Sequence, residues 1–385
     1  MMNIIILPTT YPTMHDSHAA IFVKDQVNAL QKNYNVNISV IGALPVSFKD
    51  IFRKKVFKFG YFESFENGVN INLFIFPSIP KLKRFNNYIR YILNKRLLKK
   101  ITKKYGKADI IHVHNFVAGE AALWYKKEFN VPYCVTEHSS IFSHNLFRKY
   151  EINLYNKVYS YSSYNIAVSK KFSSFLSEKL SIKFHYLPNV VDTDFFVPCK
   201  KNENILNGFN FINIGYLNRN KNHLLLIKAF VSVFKGDKNI KLSILGDGIE
   251  FTRLKKEIEI NNMQDQINLY GFAPRDEVLR ELQKSDALVL SSKYETFGVV
   301  IIEAMSCGLP IVATKCGGPE TIVTNDNLGL LVEQEINDLG LGMQKIIKNN
   351  YNKKYIRNSV VNNFSEQVIS EKLIKIYYKV INIKK

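Results

Sequence analysis

The chain alternates short apolar, β-branched runs with helix-period patterns, and it does so in two successive series. Apolar runs fall at residues 3–7, 36–42, 71–76, 110–114, 133–136, 165–168 and 183–187, then again at 211–215, 241–245, 267–270, 287–290, 311–314 and 329–331. Helical patterns lie between most of them, as at 22–32, 222–234, 250–261, 275–284 and 299–306. Apolar strands separated by helices predict an α/β protein of doubly wound parallel sheets, Rossmann-like and covered on both faces. A break rich in Pro, Asn, Asp and Lys near 188–204 divides the two series. At 385 residues the chain is also too long for one core. The expected organisation is one domain over 1–190, a linker over 191–204, and a second domain over 205–364. A last amphipathic helix, 365–385, is expected to pack back on the N-terminal domain. Ligands of such sheets bind beyond the C-terminal strand ends, so two domains facing each other are expected to share a cleft.

Composition narrows the class. Apolar residues at 46% and charged residues at 22% are ordinary for a globular protein. The four cysteines, Cys134, Cys199, Cys307 and Cys316, have no paired spacing, which fits a reducing, cytoplasmic compartment. The opening Met1 to Pro8 has no basic segment and reads as a first strand rather than an export signal. No apolar stretch approaches the roughly 20 residues that span a bilayer. The net charge is +20, and residues up to Val197 hold 27 basic and 13 acidic side chains. Its densest run, Lys81 to Lys107, has eleven Lys or Arg and no acid. That run is read as docking on an anionic membrane surface, with a solvated helix as the plain alternative; no nucleic-acid motif accompanies it.

The chemistry concentrates between Glu295 and Glu303. The strand before Glu295 ends in a polar loop, and a helix begins near Gly298. The N–H groups of Phe297, Gly298 and Val299, with the helix dipole, suit an anionic diphosphate. Gly298 allows close backbone approach, and a carboxylate on each side can accept hydroxyl hydrogen bonds. This stretch resembles the Glu-x7-Glu element of the retaining glycosyltransferases of family 4, the group 1 glycosyl transferases, which have the GT-B fold. The resemblance implies that Glu295 lies at the donor sugar and that Glu303 binds the ribose of the nucleotide.

Other segments match in the same order: Asp109 to His114, Val135 to Ser140, Pro188 to Phe196, Gly271-Phe272-Ala273 in the nucleotide pocket, and Gly317 to Glu320. By the resemblance His138 faces the reacting sugar; the plain alternative is a hydrogen-bonded structural histidine. His112 and His114 are read as projecting to opposite faces of their strand, which argues against a metal site there. The phosphate loop departs from the family pattern. It reads Gly215-Tyr216-Leu217-Asn218-Arg219-Asn220-Lys221, so Lys221 matches while Tyr216 stands where the family has arginine. Arg219 is the candidate substitute, since charge-assisted contacts to a diphosphate are the strong ones. A second departure is Ala20, where family members often carry glycine; the methyl is expected to be tolerated if φ stays negative. His15 and His18 in the same loop are candidate acceptor contacts. Asp192-Thr193-Asp194 spells Asp-x-Asp, but its place matches an interdomain element, so no metal or other cofactor is expected.

The implied activity is retaining transfer of a hexose or N-acetylhexosamine from a nucleoside-diphosphate sugar, with UDP favoured over GDP. The N-terminal domain would bind the acceptor and the second domain the donor. The acceptor is read as a lipid-linked saccharide at the inner face of the cytoplasmic membrane, in cell-surface polysaccharide synthesis. The rivals are a non-catalytic binding protein on the same fold and another nucleotide-sugar enzyme such as an epimerase.

Overall fold

The computed structural model describes residues 1–13, 16, 19–47, 51, 58–142, 147–199 and 208–382. His15, His18 and residues 200–204 of the expected linker lie outside the described residues. The chain divides into two compact units, Met1–Val190 with Glu366–Lys385, and Val191–Ser365.

The first unit holds β1 (Met2–Pro8), β2 (Val36–Ser47), β3 (Gly60–Glu66), β4 (Val69–Ser78), β5 (Ile110–His114), β6 (Tyr133–Glu137), β7 (Tyr164–Ala167) and β8 (His185–Tyr186). Their order across the sheet is β3-β4-β2-β1-β5-β6-β7-β8. Its helices are α1 (Ile21–Asn33), α2 (Lys83–Tyr105), α3 (Gly119–Phe129), α4 (Lys149–Tyr161), α5 (Lys170–Leu180) and the C-terminal helix Glu366–Asn382. Every second residue of three strands (Ile4 and Ile6; Val36, Ile38 and Val40; Val69, Ile71 and Leu73) joins one buried cluster with Val23, Val27 and Leu30 of α1. Leu373, Ile374 and Tyr377 of the C-terminal helix complete that cluster. Each such side chain contributes roughly 1.5–3 kcal/mol by leaving water, so the chain end is part of this core.

The expectation of purely parallel sheets fails at one edge. β3 pairs antiparallel with β4 from Gly60↔Ile75 to Glu66↔Val69. Asn67 and Gly68 make the turn with φ of 50° and 81°, the left-handed pair that a two-residue hairpin requires. β3 carries two glutamates and is largely exposed, so no apolar run announces it. The Asn-Gly step was the available signal. The strand expected at 183–187 is only the two-residue β8, at the opposite edge.

The second unit holds β9 (Phe209–Ile214), β10 (Ile240–Leu245), β11 (Ile267–Gly271), β12 (Ala287–Leu290), β13 (Ile311–Thr314) and β14 (Gly329–Val332), all paired parallel. The order β11-β10-β9-β12-β13-β14 reverses direction between β9 and β12. Such a reversal sends neighbouring loops apart at the C-terminal edge and opens a ligand crevice there. The helices are α6 (His223–Phe234), α7 (Phe251–Ile260), α8 (Arg275–Lys284), α9 (Val299–Ser306), α10 (Pro319–Ile322), α11 (Ile336–Lys348) and α12 (Lys353–Phe364). The first unit reverses in the same manner between β1 and β5.

Backbone crowding fixes the loops at the second crevice. Gly246 follows β10 with φ +152°, and a Cβ there would meet the Gly215 carbonyl oxygen at 1.9 Å. Gly246→Ala should therefore destabilise the second unit by about 2 kcal/mol or more. Gly236→Ala, left-handed but with nothing within 4 Å of the added carbon, should cost only about 1 kcal/mol. Urea midpoints of the two variants check this, and equal losses would refute it.

Candidate functional site

In the second unit, two loops meet where the strand order reverses. The loop after β9 is turned by Asn218, whose Oδ1 accepts the N–H groups of Asn220 (2.9 Å) and Lys221 (3.0 Å). Asparagine suits such a turn because its side chain imitates a backbone carbonyl. The loop after β12 is laced to it: Ser291 Oγ donates to the Lys221 carbonyl at 3.0 Å, and Asn220 Nδ2 donates to that of Tyr294 at 2.9 Å. The result brings Lys221 Nζ to 2.5 Å from Glu295 Oε1. Ser292 Oγ donates to the same carboxylate oxygen at 2.7 Å.

A third loop holds Glu295 from behind. Its N–H donates to the Cys316 carbonyl (2.9 Å), and its carbonyl accepts from Gly318 N–H (2.8 Å). A Cβ on Gly318 would lie 2.1 Å from the Phe297 carbonyl oxygen, so this segment needs glycine for close approach. The Glu320 carboxylate accepts Gly317 N–H at 2.8 Å and braces the turn.

Helix α9 starts directly beyond Glu295. The Phe297 ring is buried, with its centroid 5.8 Å from that of Phe364, which fixes the backbone before the helix. Gly298 adopts φ 99° and starts the first turn. The leading N–H groups of a helix have no intrahelical acceptor and form a positive end. Glu303 is half-buried in this eight-residue helix. One lysine, one carboxylate and one helix start thus stand together, a cation and N–H groups for an anion and a carboxylate for hydroxyls, with Glu303 farther along the helix.

The remaining candidates divide. Gly215 follows β9 and Gly271 ends β11, each beside the end of β10, where Gly246 N–H donates to the Gly271 carbonyl at 2.7 Å. Phe272 is exposed. Arg219 is 83% exposed, and its ion pair is with Glu250, at 3.9 Å, a contact worth little in water. Tyr216 is exposed as well. Asp192 Oδ1 takes the N–H groups of Asp194 (3.1 Å) and Phe195 (2.9 Å), the local turn that a short carboxylate favours. Ser292, Asn218 and Asn220, which position the lysine and glutamate, were not singled out from the sequence. The dense polar run 218–222 was the only signal for the two asparagines, and Ser292 had none.

The first unit builds a histidine cluster at its own reversal point. Asn115, with φ 67°, follows β5 and donates from Nδ2 to Thr9 Oγ1 at 3.0 Å; its Oδ1 accepts His138 N–H at 3.0 Å. His138 is half-buried, and its Nε2 lies 2.9 Å from His114 Nδ1. The rings of His112 and His114 are 4.3 Å apart, so the expectation of opposite faces is wrong. Residues two apart in a strand share a face. His112 is fully buried between Tyr377 Oη and Thr136 Oγ1, each at 2.7 Å. Burial holds all three imidazoles well on the neutral side, His114 down to about 3. His138 Nδ1 has no hydrogen-bond partner among the described residues. Next to it, buried Glu137 accepts Tyr159 Oη at 2.6 Å and the N–H groups of Ser139 (2.8 Å) and Phe116 (3.1 Å). Burial nevertheless pushes the Glu137 carboxyl up to about 7.

Ala20 corrects a second expectation. Its φ is +50°, not negative, and it sits in the left-handed region immediately before α1. The backbone keeps the conformation that glycine would take freely, at a cost of about 1 kcal/mol to alanine. The methyl packs against the core cluster of the unit.

This architecture is that of a GT-B glycosyltransferase. Residues 52–195 match glycosyltransferase family 4, and residues 199–361 match the glycosyl transferases group 1. An uncharacterized glycosyltransferase of Methanocaldococcus jannaschii is 30% identical over 299 residues, covering 75% of this chain and 79% of that protein. The chain belongs to family 4 of the group 1 glycosyl transferases. Its fold is shared with sucrose-phosphate synthase from Thermosynechococcus elongatus (TM-score 0.79, 18% identity, 100% of both chains). It is shared also with the Anabaena protein HepE solved with UDP-glucose (TM-score 0.73, 16% identity, 98% of this chain and 100% of that one).

The buried titratable groups give opposite pH dependences. Between pH about 3 and 6.5 the folded unit leaves His114 unprotonated while the unfolded chain protonates it, so stability falls as pH drops through that window, by up to about 1.4 kcal/mol per unit. Between pH 4.5 and about 7 folded Glu137 keeps a proton that the unfolded chain releases, so its contribution falls as pH rises. Urea midpoints from pH 4.5 to 8 should show His114→Asn flattening the acid limb and Glu137→Gln the neutral one. Unchanged slopes in both variants would contradict the assigned protonation states.

Proposed function

We propose that this chain is a retaining, metal-independent glycosyltransferase that moves a hexose or N-acetylhexosamine from a nucleoside-diphosphate sugar to a lipid-linked saccharide in bacterial cell-surface polysaccharide synthesis. The observation that carries the reading is the Lys221–Glu295 pair beside the start of α9. In this pair lysine and glutamate neutralise each other. A bound diphosphate would draw Lys221 and free Glu295 for the sugar hydroxyls, while Glu303 takes the ribose. UDP is favoured because the neighbouring HepE structure is described with UDP-glucose.

In the proposed step the bond from the anomeric carbon to the diphosphate oxygen breaks, and the acceptor oxygen bonds to the same face of that carbon. The acceptor proton passes to the departing diphosphate. Charge grows on the leaving group, so Lys221 and the α9 N–H groups act where preorganised donors matter most. A neutral His138, anchored through Nε2, keeps Nδ1 for a sugar hydroxyl. Arg219, already exposed, is a second cation that a diphosphate can recruit.

Thermal-shift titration with UDP, GDP and ADP, in EDTA and then Mg²⁺, tests the donor site. One nucleotide at a hundred times its Kd should add about 2.7 kcal/mol of stability in EDTA. Lys221→Ala and Glu303→Ala should each remove most of that gain. NMR of the product should show the anomeric configuration of the donor. Binding of no nucleotide, binding only with metal, or an inverted product would sink the corresponding part.

A further inference from the structure

Helix α2 and the segment before it do not present the basic run evenly. Toward the C-terminal end four of the lysines are engaged within the unit. Lys95 and Lys99 lie over the Trp124 ring at 4.7 and 5.5 Å, and Lys100 lies over Tyr61 at 3.6 Å. Lys104 pairs with Glu63 at 2.7 Å. Such cations are screened and held by neighbours. The other end differs. Leu82, Phe85 and Tyr88 are 52%, 47% and 59% exposed, and residues three apart lie on one helix face. Ile79, just before them, is also exposed. Interleaved with them are exposed Lys81 and Arg84.

The start of α4 extends the same patch. Lys83 pairs with buried Glu151, which ties the two helix starts together and neutralises that acid. Arg84 and Arg148 both act electrostatically on Tyr150, which lies between Lys149 and Glu151. Arg148 and Lys149 are exposed, and so is Ile152 one turn on. Large apolar side chains ringed by cations are an interfacial composition: the rings and aliphatic tips enter the headgroup boundary while the cations meet lipid phosphates. A nucleic acid would use the cations but gain no base stacking from Ile79, Leu82 or Ile152.

We propose that the N-terminal end of α2, with the start of α4, docks this unit on an anionic membrane, and that Lys95, Lys99, Lys100 and Lys104 farther along α2 serve contacts within the unit. The proposal deepens the lipid-linked acceptor reading and rests on it for its purpose, whereas its test needs no turnover.

The full chain would be sedimented with phosphatidylcholine vesicles and with vesicles containing phosphatidylglycerol, at low and at physiological salt. Binding should require phosphatidylglycerol and weaken with salt. Leu82→Glu/Phe85→Glu should lower the partition coefficient about a hundred-fold, and Arg84→Ala/Arg148→Ala about ten-fold. Lys100→Ala/Lys104→Ala should change it less than about three-fold. Circular dichroism and nucleotide-induced thermal shift, read on each variant, separate lost docking from lost folding or a lost donor site. Equal binding to neutral vesicles, wild-type binding by folded Leu82→Glu/Phe85→Glu, or an equal loss in Lys100→Ala/Lys104→Ala would overturn the proposal. So would displacement from vesicles by single-stranded RNA with tighter binding to the RNA.

Discussion

The second unit is organised around one constraint: a lysine and a glutamate from loops 74 residues apart must meet where the sheet reverses its strand order. Parallel strands put both loops at the same edge, and the reversal leaves a gap between them. Neither side chain reaches its place by its own preference. Asn218 bends one loop, Ser291 and Asn220 stitch it to the other, and the Gly317–Gly318 segment braces Glu295 from behind. The glycines here answer to space as much as to φ, since a methyl on Gly318 would overlap a carbonyl oxygen. The loops of this site are held where they are because their backbones touch, which leaves little room for either to take another path.

The first unit uses the same topology with different chemistry. At its reversal Asn115 spans the loops after β1 and β6, and the polar cluster beneath is three neutral imidazoles rather than an ion pair. Burial decides this. Ionised histidines packed this closely would repel one another and lose their water. Glu137, next to His138, is engaged by the Tyr159 hydroxyl and the N–H groups of Ser139 and Phe116 rather than by an imidazole. The unit thus offers hydrogen bonds without charge, while the second unit offers charge.

Much of this was legible in the sequence because it depends on period and punctuation. Thirteen apolar runs marked thirteen strands, while Glu295, Glu303 and Lys221 were singled out by their resemblance to the family-4 motifs. What escaped had no such signature. β3 is an exposed edge whose pairing comes from an Asn-Gly turn and its neighbour β4, so hydrophobicity says nothing about it. The shared face of His112 and His114 needed only the period of two, and was misjudged. Ala20 shows the limit of reading conformation from residue type: the neighbouring turn, closed by Val23 N–H on the Ala20 carbonyl at 2.9 Å, imposes a left-handed backbone despite the methyl. The supports Ser292, Asn218 and Asn220 are small polar residues of a kind that fills any loop, and only contact distances separate them from the rest.

The C-terminal helix links these points to folding. The chain leaves the first unit at Val190 and returns at Glu366, so the second unit is an insertion into the first. Leu373, Ile374 and Tyr377 fill the cluster that Ile4, Val36, Ile38, Val40 and the buried face of α1 begin. Tyr377 also supplies the hydrogen bond to His112 Nδ1. Until those last residues arrive, a buried imidazole lacks a partner and an apolar sheet face lacks its cover, each a penalty of kcal/mol size. The strand that carries His112 therefore gains its final packing only when the helix Glu366–Asn382 is in place. The histidine cluster depends on the helix Glu366–Asn382, although its three imidazoles all lie within residues 112–138.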